Sequence, residues 1–198
     1  MTDRLDAARA ALTSRLAIDR RALAALRVAL ALVVLVDLTR RLPDARAFYT
    51  DAGVLPRSLL ATLYPGYGTV SLHALSGGLA VQLALFALAA VAALGLLVGY
   101  RTRLATLVSL VLLVSVQVRN PLVLNSGDVL LRRLLFWACF LPLGSRWAVD
   151  SGGPGETSGK TERVVGPATA GLLAQVVVGD VANAIVKLRA DVWLRGDA

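Results

Sequence analysis

Leu79-Ala80-Val81-Gln82-Leu83-Ala84-Leu85-Phe86-Ala87-Leu88-Ala89-Ala90-Val91-Ala92-Ala93-Leu94-Gly95-Leu96-Leu97-Val98 decides how the chain is read, because Gln82 is its one strongly polar residue. A run of about 20 apolar residues is the length a helix needs to cross the hydrocarbon core of a bilayer. Gly95 and Gly99 stand at the small-xxx-small spacing that lets two membrane helices approach closely. The rest of the chain agrees with this setting. Its 198 residues are 57% hydrophobic, with more apolar surface than one soluble core can bury. The mean hydropathy is +0.68.

Outward from that run, Tyr100-Arg101-Thr102-Arg103 reads as a tight basic turn, and a further span is predicted over about Leu104 to Val118. Upstream, the first span is predicted from about Ala22 to Leu38, near the minimum crossing length. Arg27 and Asp37 fall within it or at its edge, and charges there need a protein partner or a watered cavity. Ten residues on a helix is about 280° of rotation, so the two leave on different faces and each is expected to meet another helix. Residues 1 to 21 carry Leu5, Ala8, Leu12 and Leu16 at helical spacing among arginines, the pattern of an interfacial amphipathic helix. Residues 39 to 76, rich in Pro, Gly and aromatic side chains, are expected to form an ordered cap on the membrane surface.

Downstream, 117 to 128 is too apolar for a free loop and too broken by Pro121 and Gly127 for a helix, so a re-entrant turn is expected. Asp128 and Arg132 are an i, i+4 pair opening a fourth span over about Val129 to Leu143, or else simply a capped, salt-bridged helix start. Ser151 to Lys160 reads as a flexible loop, and a fifth span follows over about Val165 to Val186. The expected fold is therefore all-α: a multi-pass transmembrane helix bundle of about five spans. Arginine-rich connections place the N-terminus, the Arg101/Arg103 turn and the 144 to 163 loop in the cytoplasm, and the chain in the cell membrane. The net charge is +8, but its arginines cluster at the ends of apolar runs as topology signals do, so no nucleic-acid partner is expected. Cys139 and His73 are single residues of their kinds, which leaves no material for a metal site or a Ser-His-Asp triad.

The last apolar run ends in a polar stripe. On a helix Asp180, Asn183, Lys187 and Asp191 fall on one face. Two readings stand: Lys187 snorkels to the interface while Trp193 anchors the helix end, or the stripe is a site. Snorkelling does not account for Asp180, two turns deeper, where an ionised carboxylate costs roughly 2.5 to 3.5 kcal/mol on insertion scales.

Four segments in order carry a resemblance: Phe48-Tyr49-Thr50-Asp51-Ala52-Gly53-Val54-Leu55-Pro56-Arg57, Leu124-Asn125-Ser126-Gly127-Asp128, Phe140-Leu141-Pro142-Leu143-Gly144-Ser145-Arg146-Trp147-Ala148-Val149-Asp150 and Val186-Lys187-Leu188-Arg189-Ala190-Asp191-Val192-Trp193-Leu194-Arg195-Gly196. Together they resemble the motifs of HTTM-domain proteins, prokaryotic relatives of the vitamin K-dependent gamma-glutamyl carboxylase. The resemblance covers about residues 18 to 198, so 1 to 21 is an N-terminal segment and 22 to 198 an HTTM-like transmembrane domain. It implies a quinone or vitamin K-like lipid as ligand and Lys187 as the base that deprotonates it, with Asn125 and Asp180 as supporting groups. Asn183, Asp128, Arg132 and Asp191 would complete a polar pocket. Where the carboxylase has an Asn-His pair, this chain reads Asn125-Ser126. Family members continue beyond the lysine segment, so the alternative expectation is a non-catalytic membrane subunit, or a half-protein that assembles with a partner or a missing C-terminal half.

Overall fold

A computed structural model describes residues 14 to 151, 162 to 189 and Trp193. The chain divides into two units, Asp19–Glu162 and Met1–Ile18 with Arg163–Ala198, each described here by itself. The helices of the first unit are α1 (Arg20–Arg41), α2 (Ala45–Tyr49), α3 (Arg57–Leu63), α4 (Leu79–Val98), α5 (Thr102–Arg119) and α6 (Ser126–Ala138). Helix α7 (Pro167–Arg189) belongs to the second. Ile18–Asp19 and Arg163–Val164 are extended over two residues each, and the fold is all-α.

Asp19 sets the start of α1, its carboxylate accepting the Arg21 N–H at 2.6 Å as an N-cap. That cap also corrects the expectation of one amphipathic helix over residues 1 to 21. Residues 14 to 16 are helical, the chain is extended at 18 and 19, and a new helix begins at Arg20; residues 1 to 13 lie outside the described residues. From there α1 buries Leu23, Arg27, Leu30, Val34 and Leu38, one stripe at three- and four-residue spacing. Helix α4 occupies the predicted run to the residue and buries Gln82, Phe86, Ala89, Ala93 and Leu96. It ends because Gly99 takes a φ of 76°, a left-handed conformation that costs glycine little. The N–H groups of Gly99 and Tyr100 then both close on the Gly95 carbonyl at 2.9 Å. Gly95 also lies where a Cβ would be in ordinary contact, 3.7 Å, with that of Ala105 on α5, so this glycine marks a real helix approach.

Among the described residues, four helices are long and apolar enough to cross a membrane: α1, α4, α5 and α7. This revises the expected five spans. The fourth predicted span is a 13-residue helix, α6, about 20 Å long and short of the roughly 30 Å hydrocarbon core. Its chain continues through Cys139 to Ser145 as turns and a 3₁₀ segment, with Leu141 and Leu143 buried. The irregular backbone expected over 117 to 128 is present as a shorter stretch, residues 120 to 125 with a 3₁₀ turn at Pro121–Val123, since α5 runs on to Arg119 and α6 begins at Ser126.

Large apolar side chains face outward along the long helices, while several polar ones join the apolar core. Leu83, Leu88, Val91, Leu94, Leu104, Leu107 and Val111 are exposed, while Gln82, Thr106, Ser109, Ser115 and Gln117 are buried. Apolar side chains outward and hydrogen-bonding side chains inward is the arrangement a hydrocarbon solvent favours.

The two ends of the bundle differ. At one end the 42 to 78 segment folds as α2, α3 and the 3₁₀ turns Tyr67–Val70 and Leu72–Ala74, the ordered cap that was expected. It is tied to the end of α5: the Arg119 Nη1 donates to the Leu55 carbonyl at 2.8 Å and the Asn120 amide to the Phe48 carbonyl at 2.9 Å. At the other end the 99 to 101 turn meets the 147 to 151 segment, with the Val149 N–H on the Val98 carbonyl and the Asp150 N–H on that of Gly99.

Candidate functional site

Beneath the cap, polar side chains from α1, α2 and α6 converge on one guanidinium. Arg41, in the last turn of α1, gives its Nε–H to Asp37 at 2.7 Å, one Nη to the Tyr49 hydroxyl at 2.8 Å and the other to Asp128 at 2.5 Å. Asp128 is in the first turn of α6, where its second oxygen accepts the Asn125 N–H at 2.8 Å. The Asn125 side chain returns the favour, accepting the N–H groups of Gly127 and Asp128, so the two form a capping box. Gln117 adds a bond from α5 to the Asp128 carbonyl at 3.1 Å. Burial pushes the Tyr49 phenol up, which keeps it a neutral acceptor for Arg41.

The expected Asp128–Arg132 pair is therefore not what forms: both Asp128 oxygens are taken by Arg41 and the Asn125 backbone, and Arg132 stands half-buried a turn away. Both candidates are arginines; the one on α1 wins because it is buried beside Asp128, side chains 9% and 4% exposed, and so meets the carboxylate away from water. Asp37, expected to meet another helix, is bonded instead by Arg41 on its own. Arg27 does reach other elements, donating to the Leu96 carbonyl at 3.3 Å and the Trp147 carbonyl at 2.5 Å. It thereby places a cation at the C-terminal end of α4, on a carbonyl that also accepts the Gly99 N–H at 3.3 Å.

A second polar cluster lies beside Phe86. The Ser115 hydroxyl is 2.7 Å from His73 Nδ1 and accepts the His73 backbone N–H at 3.0 Å. Ser71 donates to the Ser115 carbonyl, and Gln82 to the carbonyls of His73 and Ser76. A serine hydroxyl on an imidazole is the geometry of an activated nucleophile, but His73 and Ser115 are each 1% exposed. The cavity at His73 is walled by Val34, Phe86 and Leu112 and has room for about one water and no substrate. Burial, with the Arg119 charge behind it, depresses the imidazole to about 4, so His73 is neutral.

The Phe48–Arg57 motif serves the cap. The Asp51 carboxylate accepts the Arg57 backbone N–H at 3.0 Å and its Nε–H at 2.8 Å, which holds its pKa below the usual range. Buried Arg119 lies 3.6 Å from the same carboxylate. A Cβ at Gly53 would run into the Ala47 carbonyl, so only glycine closes this loop.

In the other unit, Asp180, Asn183 and Lys187 are all exposed on α7, as is every residue from 180 to 189. Lys187 Nζ stands 4.4 Å from the centroid of the Trp193 ring, a cation–π contact. Asp191 lies outside the described residues. Among the described residues no group of three His, Cys, Asp or Glu side chains could hold a metal. Arg41, Tyr49, His73 and Arg119 escaped the sequence reading as interior groups; the i, i+4 spacing of Asp37 and Arg41 was the one local signal available. No family model, no curated protein and no solved structure matches this chain.

Proposed function

We propose that the chain is a non-catalytic membrane subunit of HTTM type, whose last helix is completed by a helix of another protein or of a further segment. What supports this is the surface of α7. Asp180 and Asn183 are exposed on it between Val177, Val178, Val181 and Ile185, which are exposed too. A carboxylate and an amide within a span cannot face hydrocarbon without large cost, so a protein surface covers them. Asn125 and Asp128, which the resemblance would put at a quinone, are spent on a helix cap and on Arg41.

The test is cross-linking in native membranes in a Cys139→Ala background. Asn183→Cys lies on the stripe, and Val178→Cys lies about 160° around the helix from Asp180. A bifunctional maleimide is expected to join position 183 to protein and to leave 178 uncoupled. Equal yields at the two positions would refute the covered stripe.

The second reading is a carboxylase-like site, with Lys187 as base toward a quinone-like lipid. It is favoured by the motif around Lys187, and it requires that the exposed amine be desolvated in a closed pocket before it can act as a base. Organic extraction of the purified protein decides between them. The subunit reading expects no stoichiometric quinone and a neutral Lys187→Arg; the base reading expects quinone that stays bound in Lys187→Arg while its deprotonation is lost, since arginine does not give up its proton.

A further inference from the structure

The end of the bundle away from the cap holds a groove of about 640 Å³, within the range of small-molecule sites. Its rim carries Arg20, Arg101 and Arg103, and its floor Leu104, Ala138 and Leu141. One carboxylate lines it, Asp150, and that group is already engaged. It accepts the Thr102 backbone N–H at 3.0 Å, and the N–H groups of Thr102 and Arg101 hold its pKa below the ordinary range. The N-terminus of α5 is thus filled by the protein's own acid, and the arginine side chains give the groove a net positive charge.

Two features fix what such a groove takes. Arg101 has a φ of 43°, a left-handed conformation uncommon for a residue with a side chain, so the turn sets the direction in which this side chain leaves the backbone at the groove. The groove also lies where α1 begins and where α4 gives way to α5, at the ends of three of the four helices able to span a membrane. That is headgroup depth, with the phosphates of the bilayer at the arginines and its acyl chains along exposed Leu104 and Leu107.

We propose that this groove binds an anionic phospholipid, the phosphate headgroup on Arg101 and Arg103 and the acyl chain against Leu104. The proposal shares with the subunit reading only the membrane setting and is independent of Lys187 and of any partner at α7.

The intact protein is reconstituted in vesicles of equal parts phosphatidylglycerol and phosphatidylcholine, re-extracted in mild detergent, and its retained lipid measured by mass spectrometry. Phosphatidylglycerol is expected to be retained in preference to phosphatidylcholine. The double variant Arg101→Gln/Arg103→Gln should lower that retention roughly tenfold or more, the share two interfacial arginines carry. Arg133→Gln removes an exposed arginine of α6 that does not line the groove, and should retain lipid like the wild type. Leu104→Trp, at a side chain 51% exposed, should narrow the floor and lower retention with the arginines intact. Equal retention of the two lipids, full retention by the double variant, or an equal loss in Arg133→Gln would overturn the proposal. So would thermal stabilisation by inorganic phosphate equal to that by phosphatidylglycerol, which would make this a site for soluble anions.

Discussion

Replacing Arg41 by glutamine removes the one cation between Asp37 and Asp128 and tests whether this network holds the cap end of the bundle together. Arg41 and Asp128 have side chains 9% and 4% exposed, so neither can regain water without opening the structure. Breaking a buried pair by removing one partner costs about 3 to 5 kcal/mol, mostly the penalty of the charge left behind. Asp37 is 20% exposed and recovers part of its hydration, so the lower end, about 3 kcal/mol, is expected. Asp128→Asn should cost less, about 1 to 2 kcal/mol, because an amide oxygen can still serve Asn125 or Arg41, and Arg41 keeps Asp37. The double variant strands no buried charge of this pair, so it should cost less than the sum, with a coupling of about 2 kcal/mol. Reversible unfolding in mixed micelles, followed by tryptophan fluorescence and circular dichroism, supplies the four free energies. A cost below about 1 kcal/mol for Arg41→Gln, or a double variant that is simply additive, would mean the carboxylates are solvated in the folded protein and the network is not what joins α1 to α6.

Three further outcomes are expected. His73 is held neutral at about 4 in the folded protein, against 6.5 for a free side chain, so between those values the unfolded chain binds the extra proton. Stability should therefore be full above about pH 6.5 and fall by roughly 3 kcal/mol as the pH drops to about 4, and His73→Phe should flatten that slope in pH-dependent melts. Gly99→Ala adds a Cβ that collides with the Arg27 guanidinium and Ala148 at a left-handed φ of 76°. It should destabilise by about 3 kcal/mol, while Gly68→Ala, with open space at its Cβ, stays within about 0.5 kcal/mol in the same unfolding assay. If the arginine-rich end is cytoplasmic, a single cysteine at position 52 reacts with an impermeant maleimide from outside and one at 155 does not; the reverse pattern would invert the topology.

The spans were legible because hydropathy over 20 residues is a local property, and α4 begins and ends where its apolar run does. Local punctuation was legible in part: a capped helix start was one of two readings at Asp128, whereas Asn125, which the resemblance put in a pocket, is the residue that caps it. Two things were not. The length of α6 depends on where its chain turns to pack Leu141 and Leu143 inside, and Leu131 to Leu143 is apolar enough to read as a continued helix. The partner of Asp128 was the other, since Arg41 is 87 residues away and sequence spacing can propose only Arg132. Arg27 shows the same limit: its charge announced that it needed a partner, yet the partners are two main-chain carbonyls, which no side-chain pattern reveals.

Why so many polar groups sit inside follows from the solvent. In hydrocarbon, apolar helices gain little by meeting one another, because lipid tails offer the same contacts as leucine. Specific pairing must then come from close approach and from hydrogen bonds that lipid cannot supply. Gly95 against Ala105 is the first kind. Arg41 between α1 and α6, Arg27 on the end of α4, and Ser115 under His73 are the second. Each leaves a donor or acceptor stranded if its helix slides or turns, and so fixes register as well as contact. On the subunit reading proposed above, a polar stripe that stays exposed on a helix of membrane length awaits an interaction. Asp180 and Asn183 on α7 would then carry on their helix the kind of information that Asp37 and Arg41 carry on α1, with the partner supplied from elsewhere.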